Sequence, residues 1–309
     1  MTLKHACLGS WVGDIILHMS NYRTLPPAVV ASVRSGVVCS LAAAVADLDE
    51  SLALTIPAGR SSLLLSGPGG IARRLLFTDG QIKETKPGPS ALILKFLSAE
   101  NMAHTLGGRP ASMLPIPLAP SFGRAAQAFK IASKTAAHWT SLRDFPDSRS
   151  KLITAEMLMT AALRGVAETA MVDTWTAPKS SHMPDGLVEI RIGSASNGTD
   201  SESPKNSGPA VWLRRQGPSW TSGRTPAPQQ INARLTFDTT DTALGVLTGE
   251  ISALKALGRG TVSIRGRVPM IQILFPLLDR FGEIMAWGRP QAAETVESTE
   301  PAQPAGETA

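Results

Sequence analysis

The residues of this chain best suited to metal or nucleophile chemistry are five histidines and two cysteines, and their spacing suits neither task. His5, His18, His104, His138 and His182 are scattered, no pair has metal-ligand spacing, and no H-E-x-x-H or C-x-x-C motif occurs. Cys7 and Cys39 have no ligand pattern around them, which argues against a zinc site and a disulfide scaffold and for a reducing compartment. The stretch "SGPGG" (Ser66 to Gly70) invites a phosphate-loop reading, yet it lacks the lysine and the strand-to-helix setting, so a turn is the better reading. No G-x-S-x-G elbow is present. The expectation is therefore a protein that is not an enzyme, with no metal and no cofactor.

Binding then becomes the question, and composition narrows it. Apolar residues make up 43% of the 309 and charged residues 18%, enough for a real core. Aromatics are few, so interiors must be built from Leu, Ile, Val, Ala and Met, which pack more softly than rings. The net charge of +5 is diffuse. It is compatible with peripheral contact to an anionic membrane and does not argue for nucleic acid. Asp14 interrupts the apolar run near the N-terminus, no small-residue cleavage site follows, and no eighteen-residue uncharged apolar stretch occurs. A cytoplasmic location is expected, and the "NGT" at Asn197 is then a chance match.

The elements that would build a binding site occur twice. "LKFLSAENMAHTLGG" (Leu94 to Gly108) and "LTFDTTDTALGVLTG" (Leu235 to Gly249) each read as a strand, a capped short helix and a glycine stop. Leu94 and Phe96, like Leu235 and Phe237, share one face of the strand. Ser98 and Thr239 can cap the helices, with Glu100 and Asp241 in the first turns. Upstream, each copy has a Pro-Gly turn and a strand, then a hairpin turning at Asp79-Gly80 or Gln216-Gly217. Ala-rich helical stretches lead in: Pro27 to Leu48, and Ser150 to Val172. An ordered series of matches with a growing offset is what a diverged duplication leaves.

Downstream of the second copy, Val262 and Ile264 alternate as a strand. Pro269 then opens a helix whose Met270, Ile273, Leu274, Leu277 and Phe281 form an apolar stripe, with Pro276 expected to kink it. In the first copy, Pro115, Pro117 and Pro120 are expected to spoil the matching strand, so that copy reads as degenerate at its end. The expected divisions are an N-terminal segment 1–26, a first unit 27–139, a polar linker 140–149, a second unit 150–287 and a disordered tail 288–309. The polar run Gly193 to Pro209 is expected to be a flexible loop.

The second unit resembles the sterol carrier protein type 2 family. The resemblance rests on Phe237, Asp238, Leu244, Leu247, Thr248 and Gly249, followed by the "GxGxVxIxG" pattern of Gly258, Gly260, Val262, Ile264 and Gly266. It extends over roughly Ser150 to Met285, and to Pro27 to Ala132 through the internal repeat. It implies an α+β fold of two tandem sterol-carrier-like units, each a twisted, mainly antiparallel five-stranded sheet covered by helices on one side. It further implies a hydrophobic pocket for a lipid or other apolar small molecule.

The expected ligand-binding residues are Leu235, Phe237, Leu244, Leu247, Val262, Ile264, Met270, Ile273, Leu274 and Leu277. Ordinary core packing is the competing reading of each, of equal weight. Arg34 and Arg164, similarly placed in the two long helices, are candidates for a lipid headgroup, against a reading as solvated helix surface. Met157, Met159 and Met171 read as core. The alternative function is an interaction scaffold or accessory subunit of a membrane-associated lipid- or quinone-synthesis complex, with the last helix (Met270 to Phe281) as its docking face.

Overall fold

The structure, a computed structural model, describes residues 25–54, 56, 59–109, 111–117, 122–142, 147–193, 208–224, 226–228 and 230–288. Outside these lie most of the N-terminal segment, residues 143–146 of the expected linker, residues 194–207 of the polar loop and the tail from 289. Cys7, His5, His18 and Asn197 fall there too.

The chain opens with α1 (Pro27–Leu48), which takes a proline at its first position, and a short α2 (Glu50–Ala53). Strands β1 (Ser61–Ser66), β2 (Ala72–Thr78), β3 (Gln81–Thr85) and β4 (Leu92–Lys95) follow. Next come α3 (Ala99–Leu106), β5 (Leu114–Pro117) and α4 (Phe122–Leu142). The second half repeats the order. It has α5 (Ser148–Val172), a short α6 (Ala177–Ser181), β6 (Gly186–Ile192), β7 (Ala210–Gln216) and β8 (Ser219–Arg224). Then come β9 (Ala233–Phe237), α7 (Thr240–Leu247), α8 (Ala253–Gly258), β10 (Val262–Gly266) and α9 (Val268–Ala286).

The two sheets have the same order and sense. The first runs β3-β2-β1-β4-β5 and the second β8-β7-β6-β9-β10. In each, the two central strands (β1 with β4, β6 with β9) are parallel and every other pairing is antiparallel. The local chemistry that makes the repeat is visible at its turns. Ser98 and Thr239 accept hydrogen bonds from the backbone N–H groups of Asn101 and Thr242, which caps α3 and α7. Gly108 and Gly249, at φ 84° and 79°, take the left-handed conformation just past each helix.

The structure overturns the expectation for the first copy's last strand, of whose three prolines Pro120 lies outside the described residues. Pro115 and Pro117 do not spoil the strand: β5 forms and pairs with β4. It is the sheet's edge, where a missing N–H facing outward breaks no ladder bond. At the other end of the chain, α9 continues through Pro276 as one helix.

Helices lie on one apolar face of each sheet. Leu63, Leu65, Leu75, Phe77 and Leu92 of the first sheet share a buried cluster with Val30, Val33 and Val37 of α1 and Ile131 of α4. Two helices serve both cores. From α5, Ile153, Met157 and Ala161 join the first cluster, while Leu158, Met159, Leu163 and Val166 join the second. From α9, Met270, Ile271, Leu274 and Leu277 fill the second cluster, and Phe281, Ile284 and Met285 fill the first. A helix apolar on opposite sides must be buried between layers, which explains the unbroken run of buried residues from Met157 to Leu163 in α5. Alone among the described helices, α1 is long and apolar enough to cross a membrane, but most of it is buried in the fold.

Candidate functional site

All ten expected ligand-binding residues converge on the second cluster. Leu235 and Phe237 point to the helix side of β9 and pair across the strands with Ile264 and Val262 of β10. Leu244 reaches the cluster from α7, and Met270, Leu274 and Leu277 reach it from α9. These and Val262 are buried; Leu247, Ile264 and Ile273 are partly exposed at its margin. The cluster also takes Val188, Ile190 and Ile192 of β6, Val211 and Leu213 of β7, Trp220, Met183, and the α5 residues named above. Alternation in β6 and β7 marks those strand residues. Met183 has no local pattern to reveal it.

The methionine group divides. Met157 and Met159 are fully buried, one in each cluster, whereas Met171 is 48% exposed near the end of α5. The last helix does not offer an apolar docking face either, since Met270, Leu274, Leu277 and Phe281 are all buried.

Nor are the two helical arginines solvated surface. Arg34 is 2% exposed. Its guanidinium donates to the carbonyl oxygens of Ala103 in α3 and of Ile284, Met285 and Trp287 at the end of α9, at 2.5–3.1 Å. Of these carbonyls at the helix's end, that of Ile284 also accepts from the Trp287 N–H at 3.4 Å, and a buried cation is well matched to such a terminus. Trp287 completes the arrangement, its ring 5.9 Å from the Arg34 guanidinium and 4.9 Å from the His104 ring. Arg164 instead meets Glu84 of β3 at 2.9 Å and Glu168, one turn along α5, at 2.8 Å. Arg73 of β2 bridges the same two carboxylates. Glu168 is buried where α5 passes α1, and a Cβ at Gly36 would lie 2.7 Å from its carboxyl group. This four-charge cluster ties the first sheet to α5. Burial, with the nearby Glu84 charge, pushes the Cys39 thiol far above its ordinary value, so it is inert.

A second buried pair holds the middle of α9. Arg280 donates to Asp173, just past α5, at 2.9 Å, with both side chains under 5% exposed. The Trp175 ring lies 5.0 Å from the Arg280 guanidinium and 3.6 Å from the Lys179 ammonium. Neighbouring Asp279 is raised above the ordinary carboxylate value, first by burial and then by Glu283. The helix that carries four of the ten candidate residues is therefore fixed by buried arginines at two points. Gly165 adds a third contact: the Phe281 ring sits where its Cβ would be.

No family model matches the chain, and no curated protein does. Solved structures give a partial likeness to sterol carrier proteins. One is sterol carrier protein 2 from Yarrowia lipolytica, at TM-score 0.28 and 10% identity over 39% of this chain and 92% of that one. Sterol carrier protein domain 2 of Helicoverpa armigera gives 0.30 and 14% identity over 44% of this chain and 92% of its own. Sterol carrier protein-2 like-3 from Aedes aegypti gives 0.24 and 17% identity over 41% and 94%.

Proposed function

We propose that this chain is a non-catalytic carrier that binds a lipid or other apolar small molecule in the core of its second half, within a tandem of two sterol-carrier-like units. The observation that carries the reading is the convergence of all ten candidate residues, from four separate elements, on one cluster. That cluster is built from aliphatic and methionine side chains with few rings, an interior that can repack around an apolar guest. Leu247, Ile264 and Ile273, partly exposed where α7, β10 and α9 border the cluster, mark the way in. The tandem reading is supported by the shared strand order and sense of the two sheets and by the matched helix caps. We further propose a cytoplasmic location, on the sparse and scattered cysteines.

Native mass spectrometry of freshly purified protein, with solvent extraction, tests this. One retained apolar molecule per chain is expected. Leu244→Trp puts a large ring into the cluster at a cost of about 1–3 kcal/mol, and is expected to expel the molecule while the protein stays folded. Protein that emerges empty and takes up no fluorescent fatty acid refutes the reading.

A further inference from the structure

The outer faces of the two sheets, turned away from the helices, differ in kind. In the second sheet the central outer pair is ionic: Glu189 of β6 lies beside Arg234 of β9, bonded at 2.7 Å. At the matching register of the first sheet the pair is Leu64 and Ile93. Their row continues to Ile116 of β5 on one side and Arg74 of β2 on the other. Leu76 and Leu114 flank it, the latter 47% exposed and Ile116 37%. Among the described residues no helix covers this face, because α1 and α4 join the cluster on the opposite side through Leu63, Leu65 and Phe77. The result is an aliphatic strip across four strands (β2, β1, β4 and β5), roughly 14 Å wide at ordinary strand spacing, with Leu64, Leu76 and Ile93 half-buried within it.

Charge decides what such a strip meets. Arg74, Lys83 and Lys95 stand among its outward positions, and no outward strand position of this sheet carries a carboxylate. Glu84, the acidic residue of β3, points the other way, to Arg164 and Arg73. A second copy packed on the same face would set these cations against their own counterparts, a like-charge arrangement that interfaces avoid. A surface of lipid phosphates supplies both complements at once, negative charge for the cations and hydrocarbon for the aliphatic row.

We propose that the outer face of the first sheet docks on an anionic lipid bilayer. The docking uses a different face and different residues from the carrier site, so it stands or falls separately. The test is cosedimentation of the full chain with vesicles of equal parts phosphatidylglycerol and phosphatidylcholine, beside vesicles of phosphatidylcholine alone. Binding is expected only to the anionic vesicles, falling as salt is raised. Replacing the two exposed lysines together (Lys83→Gln with Lys95→Gln) is expected to weaken partition about thirtyfold, two surface cations being lost. Ile116→Ser, at an exposed site, is expected to weaken it with the fold intact, and neither change should alter the retained molecule. Equal binding to both vesicles, or no effect of these changes, overturns the proposal. So does a wild-type dimer that Ile116→Ser dissociates, which would assign the face to a second copy.

Discussion

Replacing Arg34 by methionine tests whether the first half of the chain holds the end of the last helix. The side chain keeps its length and apolar stem and loses the guanidinium. Four hydrogen bonds go with it, one to α3 and three to the carbonyls that end α9. At about 1 kcal/mol net per bond the loss is about 4 kcal/mol. The bond to Trp287 is only part-buried, so water can replace it and the true figure falls slightly lower. Against a whole-protein stability of about 5–15 kcal/mol that is a large fraction. Urea unfolding measures the global loss, and hydrogen exchange of peptides covering 281–287 reports on the helix end itself. Both are expected to change, the exchange at denaturant well below global unfolding. Arg34→Lys is expected to restore a minor part, since one ammonium cannot span carbonyls from two helices. A methionine variant with unchanged exchange there and under about 1 kcal/mol of lost stability would refute the clamp.

Two further outcomes follow from the same packing. Gly165→Ala is expected to cost about 1–3 kcal/mol by chemical denaturation, because the Phe281 ring occupies the space a methyl needs, 2.1 Å from the Cβ position. Gly123→Ala in α4, with nothing within 4 Å, is expected to stabilise by about 0.5 kcal/mol; like signs for the two would show that backbone preference, not the ring, governs both. Asp279→Asn is expected to raise the melting temperature at pH 7. Burial lifts the folded pKa above the ordinary 3.8, so the fold disfavours the charged form. The folded state then takes up the proton first on acidification, and the advantage of asparagine shrinks as pH falls through the raised folded pKa toward 3.8. A melting difference that stays constant with pH contradicts the assignment.

Sequence pattern carried the local parts of this structure well. The caps at Ser98 and Thr239 and the stops at Gly108 and Gly249 are written within a few residues of where they act, as are the alternating faces of β9 and β10. The ten candidate residues end in one cluster because each was read from a local period that fixes which side of its element turns inward. Contacts between distant segments leave no such local pattern. Arg34 reads as one more helical cation until the end of α9, some 250 positions away, is folded against it. Arg164 and Arg73 find Glu84 and Glu168 only when sheet and helix meet. Pro115 and Pro117 look like strand breakers unless β5 is known to be an edge, and edge position belongs to the assembled sheet. Met171 shares a helix with Met157 and Met159 but emerges where the cores end.

The sharing of α9 between the two cores bears on how this chain comes off the ribosome. Phe281, Ile284 and Met285 complete a core whose strands were all made before α5 was. At ordinary elongation rates, on the order of ten seconds separate the last residue of α4 from the arrival of those side chains. During that interval the first sheet is synthesised but its interior lacks one wall. A half-built apolar interior of this kind is what chaperones recognise on a nascent chain. Truncation just before α9 would then leave the first half of the protein, and not only the second, waiting for a wall that never comes.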